Sequence, residues 1–127
     1  MGRFFWICIG GAVGTGARYL VSGWAVALLG PALPFGTLAI NVTGSFLLGS
    51  LMHLGLTTGL LSPTLRVALT TGVLGGFTTY STFNYETLQY LRGGAWAIGI
   101  ANILLTVAAC LAAGVGGLAL AQWWTGA

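Results

Sequence analysis

Gly72-Val73-Leu74-Gly75-Gly76-Phe77-Thr78-Thr79-Tyr80-Ser81-Thr82-Phe83-Asn84-Tyr85-Glu86 concentrates most of the chemistry of this chain, including its one acid. Glycine pairs weaken a helix, and hydroxyl side chains compete with it for backbone partners. The spacing therefore predicts a helix broken at Gly75-Gly76 and the Thr-Thr-Tyr-Ser-Thr run behind them. A break frees backbone carbonyls, and carbonyls with threonine hydroxyls are hard oxygen ligands suited to a cation such as Na⁺. On residue chemistry alone, the carbonyls from Gly75 to Thr79 are the candidates.

Two further groups have helical spacing. Thr37, Asn41 and Ser45 recur every four residues, as do Asn102, Thr106 and Cys110, so each trio shares one helix face. Hydroxyl and amide groups donate hydrogen bonds without net charge, which suits a small anion, and the lack of an acid ring argues against a cation pore. The same groups also serve as hydrogen-bond glue between helices in lipid; spacing leaves both readings open. Tyr80 and Phe83 lie three apart on one helical face. They either pack in a core or turn their positively polarised ring edges toward an anion, and spacing leaves that open too.

Catalysis finds no support. The chain has one His and one acid, with no Asp and no Lys, so neither a nucleophile–base–acid set nor a metal-ligand cluster can be assembled. Cys8 and Cys110 fall in apolar segments and read as small buried hydrophobes, not as a disulfide or metal pair. His53, near the end of an apolar run, reads as an interfacial residue with a satisfied hydrogen bond. The arginines are scattered rather than clustered, which argues against nucleic acid as a partner.

The elements that position these groups follow from composition. Of 127 residues, 57% are apolar and 4% charged, with mean hydropathy +0.95, whereas soluble domains carry about 25% charged residues. Such a chain cannot build a water-exposed surface, so it reads as an all-α protein of the lipid bilayer. Spans need about 20 mostly apolar residues, which divides residues 1–127 into one transmembrane domain with four spans near 4–29, 36–56, 64–91 and 95–123. The first apolar run continues past Leu20 without a small-residue cleavage site, so it reads as a retained span. Gly10 and Gly14 have GxxxG spacing for close helix approach. Phe4, Phe5, Trp6, Trp123 and Trp124 form interfacial belts. Arg18 reads either as a snorkelling side chain or as a structural pairing partner. Thr79 lies midway between Arg66 and Arg92, which places the break at the bilayer midplane, where irregular backbone needs protein or a watery cavity to satisfy it.

Arg3 and Arg66 fall on one side of a four-span chain and Arg92 on the other. That is almost no bias under the positive-inside rule. We therefore expect dual topology, with two oppositely oriented copies forming an antiparallel homodimer.

Three stretches together resemble one family. Gly36-Thr37-Leu38-Ala39-Ile40-Asn41-Val42-Thr43-Gly44-Ser45-Phe46, the GGxTTxSTF core within Gly72–Glu86, and Gly14-Thr15-Gly16-Ala17-Arg18-Tyr19 look like the Fluc/CrcB fluoride channels, and length and four-span layout match across the chain. The resemblance implies a multi-pass protein of the bacterial cytoplasmic (inner) membrane that exports fluoride passively as an antiparallel homodimer with two pores, lowering cytoplasmic fluoride and its toxicity. It implies a structural Na⁺ at the dimer centre, held by the backbone carbonyls of Gly75 and Thr78. It places pore residues at Asn41, Tyr80 and Phe83, a polar track at Thr37, Ser81, Thr82, Thr106 and Asn102, and vestibule residues at Arg18 and Glu86. Tyr80 departs from the phenylalanine of many members and adds a hydroxyl to the ring. The competing reading is a small multidrug-type proton-coupled exporter; its members resemble each other in a first-span glutamate, and no acid stands in the first span of this chain.

Overall fold

The computed structural model describes residues 1–126. They are helical throughout, joined by short turns: α1 Gly2–Leu29, α2 Phe35–Thr57, α3 Pro63–Val67, a π-helical segment Ala68–Leu74, α4 Gly75–Phe77, α5 Tyr80–Arg92 and α6 Trp96–Thr125. Three of these helices, α1, α2 and α6, are long and apolar enough to cross a membrane. The remaining pieces form a third helical course interrupted at Thr78 and Thr79, both extended.

Turn chemistry sets the ends. Gly30 takes φ 80° after α1, a conformation glycine adopts at little cost, and the Pro31–Pro34 segment turns the chain into α2. Ser62 caps α3, accepting from the Leu65 amide at 3.2 Å, with Pro63 in the first turn. The Arg66 guanidinium donates to the Gly55 carbonyl at 2.8 Å, placing a cation on the negative end of α2. In the π-helical segment the Thr70 hydroxyl donates to the Arg66 carbonyl at 2.9 Å, the acceptor that Thr70's own amide would use in an α-helix.

Packing is organised around α2, which touches every other element. Its broadest seam is with α6; α1 packs on the π-helical segment and α4, and α5 leans mainly on α6. Among the described residues, six polar side chains are buried against four apolar ones, the reverse of a water-soluble core. The outer faces of α1, α2 and α6 carry the exposed Leu, Ile, Val, Phe and Trp. Since lipid is as apolar as leucine, the hydrophobic effect does not hold these helices together; close backbone approach and internal hydrogen bonds do.

The glycines make that approach. A Cβ at Gly10 would stand 2.6 Å from the Ala68 carbonyl oxygen, and one at Gly14 would strike the Val73 carbonyl. Within the expected break, Gly75 and Gly76 are helical, and Thr78 and Thr79 of the run behind them are extended. Gly76 instead completes the α1 seam, where a Cβ would sit 2.5 Å from the Gly11 carbonyl oxygen. The interruption falls on the threonines because the Thr79 amide finds a partner outside the helix. Cys8, expected buried, is exposed on the outer face of α1, and Cys110 is half-buried. His53 bonds the Thr125 hydroxyl at 3.0 Å, a satisfied histidine near the ends of α2 and α6.

Gly14→Leu should push α1 off the third helical course. We expect a loss of about 1–3 kcal/mol, the usual cost of overpacking, read as a lower midpoint of thermal unfolding in detergent. Gly16→Leu, whose Cβ would meet nothing within 4 Å, should leave that midpoint in place. Equal midpoints for the two variants would remove the seam from the account.

Candidate functional site

The interruption at Thr78–Thr79 is built by α2. The Thr79 amide donates to Asn41 Oδ1 at 2.8 Å, and Asn41 Nδ2 donates back to the Thr79 carbonyl at 3.0 Å. Both residues are buried. The carboxamide thus pairs with one peptide unit much as a neighbouring strand would. Three residues along α2, Gly44 leaves room for the Thr78 methyl group, which any Cβ at that position would strike. The Thr79 hydroxyl accepts from the Thr82 amide at 3.2 Å and donates to the Thr82 hydroxyl at 2.9 Å. Thr79 is therefore the N-cap of α5, with Ser81 Oγ 3.4 Å away.

This arrangement releases two carbonyls. In a continuous helix the Thr79 amide would serve Gly75 and the Thr82 amide would serve Thr78. Both amides donate to side chains instead. Gly75 is exposed and Thr78 half-buried.

Beside the interruption lies a cavity of about 360 Å³ lined by Asn41, Gly44, Ser45, Thr70, Gly75, Thr78, Tyr80, Phe83, Thr106 and Cys110. The Tyr80 and Phe83 rings meet with centroids 5.7 Å apart, tilted by 56°. Phe83 is buried, whereas Tyr80 is 76% exposed and stands out from the chain. Among the described residues, no carboxylate, guanidinium or imidazole lines this cavity. It gathers Asn41 and Ser45 from the first stripe and Thr106 and Cys110 from the second. The two stripes therefore face each other at their inner ends only.

Their outer members lie elsewhere. Thr37 donates to Glu86 Oε1 at 2.8 Å and borders a second cavity of about 270 Å³ with Ser22, Thr82, Glu86 and Tyr90. Glu86 Oε2 is buried there without a hydrogen-bond partner. The half-buried Arg18 lies one helical turn before Ser22 on α1. Ser81 and Thr82 are exposed at the start of α5; they contribute to its cap, and neither lines the first cavity. Asn102 borders an apolar cavity of about 350 Å³ with residues such as Leu38 and Leu105, and its amide donates to the Thr87 hydroxyl at 2.9 Å.

Thr87 is the residue that sequence reasoning passed over. It stands four positions after Phe83 and seven after Tyr80, so it continues the ring face of α5. That spacing was the available signal.

The family model for "CrcB-like protein, Camphor Resistance (CrcB)" matches residues 5–118. The chain belongs to the CrcB family. It is 55% identical over 122 residues to the "Fluoride-specific ion channel FluC" of Sorangium cellulosum (strain So ce56), covering 96% of each chain. Against the protein of the same name from Anaeromyxobacter dehalogenans (strain 2CP-1 / ATCC BAA-258) it is 49% identical over 126 residues, covering 99% of this chain and 100% of that one. A further FluC, from Geobacter sulfurreducens (strain ATCC 51573 / DSM 12127 / PCA), is 52% identical over 105 residues, 83% of this chain and 85% of that one. Family membership and the apolar helices together make this a multi-pass bacterial membrane protein. The CrcB family match spans most of α1, α2, the interrupted course and most of α6, so the residues lining the two cavities lie inside it.

Asn41→Leu should orphan one buried amide and one buried carbonyl, each costing about 1–3 kcal/mol. We expect the Thr79 amide, slow to exchange hydrogen in the parent protein, to exchange much faster in the variant. Unchanged protection at Thr79 would show that Asn41 is not what holds the interruption.

Proposed function

We propose that this protein is a fluoride-selective channel that lets F⁻ leave the bacterial cytoplasm passively, lowering its internal concentration and toxicity. The observation that carries the reading is the uncharged, hydroxyl- and ring-lined cavity beside the interruption, in a chain whose relatives bear the name of fluoride-specific channels. Fluoride is small and strongly hydrated, so a path must replace water with close donors. The Ser45 and Thr106 hydroxyls, the second amide hydrogen of Asn41 and the edges of the Tyr80 and Phe83 rings are the available groups. No carboxylate repels the anion there. Thr37 and Glu86 then belong to a vestibule at the other cavity, toward which Arg18 would stand one turn before Ser22, and Ser81, Thr82 and Asn102 support the path through the hydrogen bonds they make.

The working unit in this reading is an antiparallel homodimer of oppositely inserted copies. Gly75 and Tyr80 are both exposed in one chain, and a second copy crossing at the interruption would cover them. The third helical course is then a span broken near the midplane, where a protein partner replaces water for its polar backbone. The donor set also fits a cation. The Gly75 and Thr78 carbonyls, relieved of their helical amides, are hard oxygen ligands, and Na⁺ held by them and their symmetry mates would neutralise the facing carbonyl dipoles. The ion is structural in this scheme. Rings and hydroxyls handle the anion.

Purified protein in liposomes should release fluoride but not chloride, without a proton gradient. Phe83→Ile should lower that release by more than about tenfold while the protein stays folded. Drug-driven proton exchange with no fluoride release would overturn the channel, and undiminished release in Phe83→Ile would remove the ring. A tag at the N-terminus should be accessible from both sides of the membrane, and replacing Na⁺ by a large organic cation should weaken the dimer. A tag found on one side only defeats the antiparallel pairing, and a dimer indifferent to Na⁺ defeats the cation site.

A further inference from the structure

The α5 helix has a positioning problem. It is only thirteen residues long, and the extended Thr78–Thr79 pair cuts it off from the rest of its course. Phe83 and Thr87 are its only buried residues. A short helix so lightly buried depends on polar ties to fix its rotation. Thr79 caps its start, and Glu86 and Tyr90 bond to Thr37 and Ala32 farther along. None of these lies beside Phe83, and a change of rotation there would carry the ring off the cavity wall.

A line of hydrogen bonds opposes that rotation. The Thr87 hydroxyl donates to the Phe83 carbonyl at 2.8 Å. It accepts from Asn102 Nδ2 at 2.9 Å. Asn102 Oδ1 in turn accepts from the Thr106 hydroxyl at 3.4 Å. All four residues are buried, with exposures of 5–9%. The far side of Asn102 is an apolar cavity that offers its amide no substitute partner among the described residues. Breaking the line therefore strands polar groups away from water, which is costly.

We propose that Thr87 and Asn102 are positioning residues: the Thr106–Asn102–Thr87–Phe83 strut locks α5 to α6 and holds the Phe83 ring at the cavity wall. The role of the strut in permeation rests on reading that cavity as the fluoride path. The strut itself does not. Asn102 acts from behind the wall and not as an ion contact. Thr106 and Phe83, the two ends of the strut, line the cavity, whereas Thr87 and Asn102 do not.

The test uses full-length protein with 4-fluorophenylalanine placed at position 83, observed by ¹⁹F NMR and by fluoride release from liposomes. The parent should give one sharp ring signal. Thr87→Val keeps the side-chain shape but lacks the hydroxyl; it should shift or split that signal and lower release by at least about tenfold. Thr87→Ser should restore both. If Thr87→Val does not fold, Asn102→Ser, too short to reach Thr87, takes its place with the same expectation. An unchanged ring signal overturns the strut whatever the release. A displaced ring with undiminished release overturns its role in permeation. Loss of signal and release that Thr87→Ser does not restore overturns the hydroxyl as the cause. A parent protein that passes no fluoride overturns the channel reading alone, since the ring signal still decides the strut.

Discussion

The two hydrogen bonds between Asn41 and the Thr79 peptide unit are what the rest of the site depends on. Inside a membrane protein, a backbone amide that leaves its helix has no water to turn to. Thr79 can be extended only because α2 offers a donor and an acceptor side by side at the right height. Once that peptide is held, the Thr79 hydroxyl is free to cap α5. The Gly75 and Thr78 carbonyls lose their helical amides as a direct result. Cap, freed oxygens and the placement of the rings after Tyr80 follow from one carboxamide.

That carboxamide works only if α2 and the interrupted course lie close together, which explains the glycines around it. Gly44 admits the Thr78 methyl group beside Asn41, while Gly10, Gly14 and Gly76 draw α1 onto the opposite side. A larger residue at Gly44 would separate Thr78 from α2 and lengthen the bonds three residues away. The small residues and the polar ones are thus one device: approach makes the hydrogen bonds possible, and the hydrogen bonds fix the register of the approach. A core held by apolar side chains would not link the two this way, because methyl contacts tolerate sliding where a paired carboxamide does not.

Much of this was legible in the sequence, and the gaps have physical causes. Scarcity of charge specified a membrane protein of helices, and apolar run lengths put the α1, α2 and α6 ends within a few residues of those observed. The Gly72–Glu86 stretch announced an irregular backbone. The expected break covers Gly75-Gly76 and the threonine-rich run behind them, and within it only Thr78 and Thr79 leave the helix, because intrinsic weakness alone does not decide where a helix breaks. The decision lies with tertiary partners: the glycines stay helical against α1, and the break goes where Asn41 can reach. The four-residue stripes correctly marked inward faces, but one face of a long helix passes several environments. Asn41 meets the cavity, Thr37 one turn earlier meets Glu86, and Asn102 meets Thr87. Periodicity gives direction around a helix and says nothing about what stands opposite.

In the proposed channel, the division of labour around the interruption bears on selectivity. Every fixed charge near the site is kept out of the cavity that holds the rings: Glu86 sits with Thr37 at the other cavity, and Arg66 lies across the end of α2. A cavity with a fixed cation would hold any anion by Coulomb attraction, with little regard to size. One lined by neutral donors and ring edges must match them to the ion at short range, so the ion with the highest charge density gains most from them. The strut behind Phe83 and the carboxamide beside Thr79 then matter for the same reason. Short-range donors discriminate only when their positions are fixed; Asn41 is held by the Thr79 peptide unit and Thr106 by Asn102.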